Sequence, residues 1–248
     1  MGVEFLGLLR ATAFAATMGL SGVAQAEQPL RFTTEEYPPF NFTDSKGTLV
    51  GIATDILLEM TKRAGVKATF EIMPWIRAYN EALNKPDTCA YSTTVTEARQ
   101  ELFQWVTPLL HNDWVIFARV DNAQKVSSLA DLKGRRIGVY HGGAIETFLQ
   151  RETGFILESA IRDDLNPVKL SKGEIDYWAT GGALGQALTL KAQIKTIRPA
   201  FSFRDVELGL ACNKVVPETK IAALRAALAA MTKEGVIEKI QTRYWLEF

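Results

Sequence analysis

Asp55-Ile56-Leu57-Leu58-Glu59-Met60-Thr61-Lys62-Arg63-Ala64-Gly65-Val66-Lys67-Ala68-Thr69-Phe70-Glu71-Ile72 changes its hydrophobic period halfway along, and that change decides the fold class. Ile56, Leu57, Met60 and Ala64 recur at three- and four-residue spacing, which is one face of a helix, and Gly65 supplies the stop. Beyond it Val66, Ala68, Phe70 and Ile72 alternate with polar residues, the period of two that belongs to a strand. Leu30 to Thr34 reads as a strand ahead of the helix, so the segment runs strand, helix, strand, the unit of a parallel sheet.

The same pattern extends outward. Trp75 to Leu83 reads as a helix, Thr88 to Thr94 as a strand, Thr96 to Glu101 as the opening of a helical segment, and Trp114 to Arg119 as a strand. From about Val120 the alternation restarts. Leu129 to Leu132 forms a short helix, Arg136 to Tyr140 a strand, and Ala144 to Glu152 a helix ended by Gly154. Strands follow at Ile175 to Thr180 and Ile194 to Ile197, with Ala183 to Lys191 as a helix between them. Glu207 to Cys212 adds a strand, and Pro217 opens a helix with Ile221, Leu224, Leu228 and Met231 on one stripe. A last short helix carries Ile237, Ile240 and Tyr244.

A chain of 248 residues with 47% apolar side chains buries one or two sizeable cores. Lys and Arg together equal Asp and Glu at 28 each, so no electrostatic footprint draws it to nucleic acid or to an anionic membrane. At the N-terminus, Arg10 precedes a small apolar run from Ala11 to Val23 and then Ala24-Gln25-Ala26, the pattern of a secretory leader over 1–26 cleaved before Glu27. The competing reading is an amphiphilic N-terminal helix. Export makes an oxidised pair of Cys89 and Cys212 reasonable, against the alternative of two separate buried thiols. Neither has a Cys or His neighbour at metal-ligand spacing, so no metal or cofactor is expected.

Tyr37-Pro38-Pro39-Phe40-Asn41-Phe42, with Gly47, Gly51 and Asp55 after it, resembles the opening of bacterial family 3 extracellular solute-binding proteins. Thr94-Val95-Thr96-Glu97-Ala98-Arg99, Phe103 and Pro108, Leu129 to Val139, and Gly235 to Ile240 with Tyr244-Trp245 continue the resemblance in order. It implies a two-lobed α/β fold of the type II periplasmic-binding-protein kind, each lobe a mostly parallel sheet flanked by helices. Lobe 1 would comprise 27–117 and 208–248 and lobe 2 would comprise 118–207, joined by hinge strands near Trp114 to Arg119 and Phe203 to Leu208. That arrangement puts Cys89 and Cys212 in one lobe. It also implies a periplasmic monomer that captures a small carboxylate-bearing solute between the lobes and delivers it to an ABC transporter permease.

On this resemblance Arg99 holds the ligand's carboxylate, to which a guanidinium offers a matching fork. Thr94 adds a polar contact. From the other lobe, backbone N–H groups of Gly143 and Ala144 at a helix start face the same carboxylate. Tyr37, Phe40 and Trp75 form aromatic walls. Amino acid receptors of the family carry an aspartate for the ligand's ammonium where this chain has Gly181 and Gly182, so Asp113, Glu35, Asp164 or another acid substitutes, or the ligand has no ammonium. Two other readings share the fold: a periplasmic dehydratase of cyclohexadienyl type, and a sensing module for a different partner. His111 and His141 are the two histidines available for acid–base work, and no G-x-S-x-G, H-E-x-x-H or Walker motif is present.

Overall fold

Two strands of 16 residues each run through the whole molecule, and everything else is arranged along them. The computed structural model describes residues 1–2, 28–122 and 124–245, so the expected leader beyond its first two residues, and its cleavage point, lie outside the described part. In chain order the elements are β1 (Leu30–Thr34), the small ribbon β2 (Phe42–Thr43) and β3 (Leu49–Val50), α1 (Ile52–Ala64), β4 (Ala68–Ile72) and α2 (Trp75–Asn84). Then come β5 (Thr88–Thr94), α3 (Glu97–Gln100) and the first long strand, β6 (Gln104–Arg119). After a 3-10 turn (Leu129–Leu132) follow β7 (Arg136–Tyr140), α4 (Ala144–Arg151), β8 (Ile156–Ala160), a second 3-10 turn (Asp163–Leu165) and α5 (Asn166–Ser171). Finally β9 (Tyr177–Gly181) and α6 (Gly182–Lys191) lead into the second long strand, β10 (Ile197–Cys212), and the helices α7 (Glu218–Lys233) and α8 (Val236–Trp245).

Eight strands share one sheet in the order β4-β1-β5-β10-β6-β9-β7-β8. The outer triplets, β4-β1-β5 and β9-β7-β8, are parallel, whereas β10 and β6 are antiparallel to each other and to their outer neighbours. At about 3.3 Å per residue each long strand spans roughly 50 Å, enough to serve two cores. The first core gathers Leu30 and Phe32, the inner face of α1, and Leu208, Leu210, Ile221, Leu224 and Met231 from the end of the chain. Further along β6 the alternation splits neighbours between the sheet's two faces. Val115 and Phe117 pack with Trp178 and Leu184, and Ile116 and Ala118 pack with Ile137, Val139 and Tyr177.

The change of core therefore falls between Leu110 and Val115 on β6, ahead of the position 117 read from sequence, because Val115 to Phe117 already pack in the second core. On β10 it falls between Phe203 and Leu208. The segments Ile194 to Ile197 and Glu207 to Cys212 are not separate strands. They are the ends of β10, whose register shifts at Pro199/Phe201, Ser202/Arg204 and Leu208/Leu210.

Two devices close the first core around the inserted second one. Cys89 and Cys212 sit opposite each other on β5 and β10 and form a disulfide across 123 residues of sequence, so the two-thiol alternative falls. The Tyr244 hydroxyl of α8 donates to Asp55 Oδ2 at 2.8 Å and accepts from the Gly51 N–H at 3.0 Å, tying the last helix to the start of α1.

Candidate functional site

A single buried asparagine shapes the loop that leads from β1 into the gap between the cores. Asn41 Nδ2 donates to Thr34 Oγ1 (2.8 Å) and to the Glu35 carbonyl (2.7 Å), and its Oδ1 accepts from Ser92 Oγ. The Tyr37 N–H donates to the Asn41 carbonyl at 2.7 Å and closes a tight turn. Glu35 and Tyr37 are thereby held at the rim of the first core, where they meet residues of the second around a cleft. From the first side come Glu35, Tyr37, Trp75, Ser92, Thr94 and Arg99; from the second come Tyr140, Gly143, Ala144, Ile145, Asp163, Thr180 and Leu184, with Trp114 and Gly181 where the long strands and β9 cross. The cleft opens to solvent and leaves about 60 Å³ for the centres of water-sized molecules, room for a few waters at about 10–15 Å³ each and so the scale of a small solute.

Arg99 is 9% exposed, and its guanidinium lies between two rings, 5.4 Å from the centroid of Trp75 and 5.1 Å from that of Tyr79. Nη1 donates to the Thr94 carbonyl at 3.3 Å. Among the described residues no carboxylate lies within ion-pair distance of it. Burial lowers its pKa, and the Tyr79 phenol and the Glu35 carboxyl oppose that shift. A buried charge in that state is costly unless an anion joins it.

Two carboxyl groups share the cleft. Asp163 accepts from Trp178 Nε1 (2.8 Å), Asn166 Nδ2 (2.8 Å) and Thr180 Oγ1 (2.5 Å), leaving acceptor capacity on Oδ2. Burial raises its pKa against those three donors. Burial pushes Glu35 up to about 8; the Tyr140 phenol and Arg99 oppose the shift and Asp163 adds to it. Neither Asp113, which is exposed, nor Asp164, paired with Arg162, lines the cleft.

Gly181 has a steric reason. A Cβ there would stand 2.6 Å from the Tyr37 hydroxyl and 2.7 Å from Asn112 Nδ2, two groups hydrogen-bonded to each other at 2.9 Å. That pair fills the corner beside Gly181, and Asp163 reaches the neighbouring Thr180 from a different turn.

The turn before α4 is built by Glu146. Its buried carboxylate accepts from the Gly142 N–H at 2.6 Å and from Ser159 Oγ, and it pairs with His141 Nδ1 at 3.4 Å, which occupies His141 with a partner outside the cleft. His111 pairs at the surface with Asp205 at 3.7 Å. Gly143 lines the cleft, with its N–H donating to the Tyr140 carbonyl at 3.1 Å. The free amides at this end are those of Ala144 and Ile145, first in the helix and without intrahelical acceptors.

Phe40 is also corrected. It is 2% exposed, packs in the first core, and supports Tyr37 from behind at 5.4 Å between ring centroids instead of facing the cleft. Trp75 lines the cleft and bridges it, its Nε1 donating to the Gly142 carbonyl at 3.1 Å. Thr94 lines it beside Arg99. Sequence reasoning missed Asp163, Tyr140 and Tyr79. The available signal for Asp163 was Trp178 and Thr180, two donors on one face of a buried strand that demand an acceptor. Among the described residues no group of three or more His, Cys, Asp or Glu could hold a metal, and no helix is long and apolar enough to cross a membrane.

The profile of the bacterial extracellular solute-binding proteins, family 3, matches residues 30–247. The L-cystine-binding protein TcyJ of Escherichia coli strain K12 is 24% identical over 213 residues, covering 84% of this chain and 79% of that protein. The histidine-binding periplasmic protein of Salmonella typhimurium is 26% identical over an alignment of 257 residues, covering 97% and 96%. Among solved structures, an ancestral arginine-binding protein bound to arginine matches with a TM-score of 0.78 at 25% identity, covering 87% of this chain and 97% of that one.

Proposed function

The chain belongs to the bacterial extracellular solute-binding proteins, family 3, and from that membership we propose that it captures a small carboxylate-bearing solute, an amino acid or a near relative of one, for delivery to an ABC transporter. The observation that carries this reading is Arg99: a buried, ring-stacked guanidinium without an acidic partner, facing a cleft of small-solute size. A carboxylate placed there receives the guanidinium fork from one lobe and the Ala144 and Ile145 amides from the other. Amino acid binding by relatives named for cystine, histidine and arginine supports the assignment. On this reading the protein works in the periplasm as a monomer after removal of its leader, and its lobes hinge on β6 and β10 near 111–114 and 204–207.

One observation favours a second reading. Glu35 keeps its proton to about pH 8, as a general acid would, and a dehydratase of cyclohexadienyl type on this fold needs such a group. Titrating the protein with amino acids, small carboxylates and prephenate-like acids while following Trp fluorescence separates the two. Binding gives a saturable change, reported by Trp75 and Trp114, with the solute recovered intact. Release of water and carbon dioxide from a prephenate-like acid would establish the enzyme instead.

Closure makes its own test. Gly142 adopts φ +73°, and a Cβ on it would meet Ile76 Cγ1, across the cleft, at 2.9 Å. The backbone strain of Gly142→Ala acts whether the cleft is open or shut, but the contact with Ile76 acts only when it is shut. Gly142→Ala therefore weakens solute binding about five- to tenfold, roughly 1–1.4 kcal/mol. Adding Ile76→Ala restores most of the loss in a calorimetric titration; no rescue means that the contact is not part of the bound state.

A further inference from the structure

A second cavity lies at the outer end of the second core, lined by Arg119, Arg135, Arg136, Gly173, Asp176 and Tyr177 among others. β7 and β9 both begin there, at Arg136 and Tyr177, and both reach the cleft at their other ends, at Tyr140 and Gly181. Four strand steps, about 13 Å, separate the two spaces. The outer cavity leaves about 280 Å³ for the centres of water-sized molecules, against about 60 Å³ in the cleft, so it has the greater room for a bound group.

Its cations hold donors in reserve. Arg136 has none to spare: Nε and Nη2 donate to Asp176 at 3.3 and 2.8 Å, and Nη1 and Nη2 donate to the carbonyls of Glu174 and Gly173 at 2.8 and 2.9 Å. That neutral pair forms a wall. Arg135 donates through Nη2 to an uncharged partner, Gln124 Oε1, at 2.7 Å, and its Nε and Nη1 have no acceptor among the described residues. Arg119 donates through Nε to Asp121 at 3.0 Å, and neither of its Nη groups has an acceptor among the described residues. Gly173 makes room for this guanidinium. It takes φ +72°, and a Cβ on it would stand 2.7 Å from Arg119 Nη1. Three guanidinium groups set against Asp176 and Asp121 leave one positive charge in excess. Tyr177, 1% exposed, adds an uncharged donor: its hydroxyl accepts from Asn122 Nδ2 at 3.1 Å, while its own proton meets no acceptor among the described residues. Buried hydroxyls are ordinarily satisfied, so an acceptor is expected in the space it faces.

We propose that this cavity binds a phosphate-type oxyanion, free or as the monoester of a small molecule, through Arg119, Arg135 and the Tyr177 hydroxyl. A phosphoryl group carries about −1.5 to −2 charge at pH 7 and three acceptor oxygens. Its charge answers two guanidinium groups with unspent N–H donors, and its third oxygen answers the phenol. A carboxylate, with one charge and two oxygens, leaves part of that set unused. The site is separate from the solute trap and stands or falls independently of it.

Isothermal titration of the purified protein near neutral pH, at fixed ionic strength, with inorganic phosphate, glycerol 3-phosphate and acetate tests the assignment. Phosphate saturates one site at least about tenfold more tightly than acetate. Arg135→Gln, a change at an exposed position that leaves the fold intact, weakens phosphate at least about tenfold, and Tyr177→Phe weakens it about fivefold. Arg99→Ala leaves phosphate binding within about twofold of wild type, because the cleft lies elsewhere. Saturation by glycerol 3-phosphate as well assigns the cavity to phosphoryl groups carried on small molecules, and saturation by phosphate alone assigns it to the free ion. Absence of saturation below about 10 mM phosphate overturns the proposal. So does binding that is lost in Arg99→Ala and kept in Arg135→Gln, which would put the anion in the cleft.

Discussion

Arg99→Ala lowers affinity for the captured solute several hundredfold, about 3–4 kcal/mol, while the empty protein keeps its stability within about 1 kcal/mol. The two halves of this result have separate causes. In the empty cleft the guanidinium is a buried cation with no carboxylate at ion-pair distance among the described residues, so deleting it relieves a desolvation cost that offsets the lost stacking on Trp75 and Tyr79. With the solute present, the same deletion leaves a carboxylate desolvated with only backbone amides to face it. Arg99→Lys recovers part of the charge but not the planar fork, and its affinity falls between the two. Titration calorimetry with the best ligand, alongside thermal unfolding without it, measures both quantities. An affinity within about threefold of wild type would place the carboxylate elsewhere.

Removing the Cys89–Cys212 bridge acts on stability instead. The bond closes 123 residues, and on the chain-entropy account its loss costs about 4–5 kcal/mol, a large share of the margin of a typical domain. For a chain of this size the melting temperature drops by roughly 10–15 °C. Solute affinity changes little, because Cys89 lies three positions before Ser92, the first cleft residue along β5, about 10 Å away. Thermal scans of a Cys89→Ala/Cys212→Ala variant check the first figure, and titration of the same variant checks the second. A shift under about 3 °C would mean that the paired strands hold the ends together without the bond.

The helical and outer-strand elements were legible because each carries its own period and its own stop. α1 is marked by Ile56, Leu57 and Met60 and ends at Gly65, which takes φ +66°. The long strands were not, because their middles carry no simple pattern. Pro108, His111 and Asp113 interrupt β6, and Pro199, Arg204 and Asp205 interrupt β10, at positions where the strands pass between cores and alternate faces no longer mean inside and outside. β8 was invisible for a related reason, since only Ala160 is fully buried. In the site, the sequence-marked loop led to Tyr37 but could not tell it from Phe40, because the direction of each ring is set by the bond between Tyr37 and Asn41. Asp163 and Asp164 are adjacent and chemically identical. Only the donors on β9 decide which one turns inward.

The route of the chain also fixes an order of events. Half of the first core's sheet is in place by Thr94, yet its neighbouring strand β10 and its covering helices α7 and α8 come only after the whole of the second core has been synthesised. Until Cys212 appears, the apolar side of β1 and β5 has no finished partner, and contacts so distant in sequence are slow to form. A ribosome-bound fragment ending at 207 carries every residue of its second core but lacks Leu208 to Tyr244 of its first. The polypeptide thus stays open, and threadable through a narrow channel, for most of its synthesis.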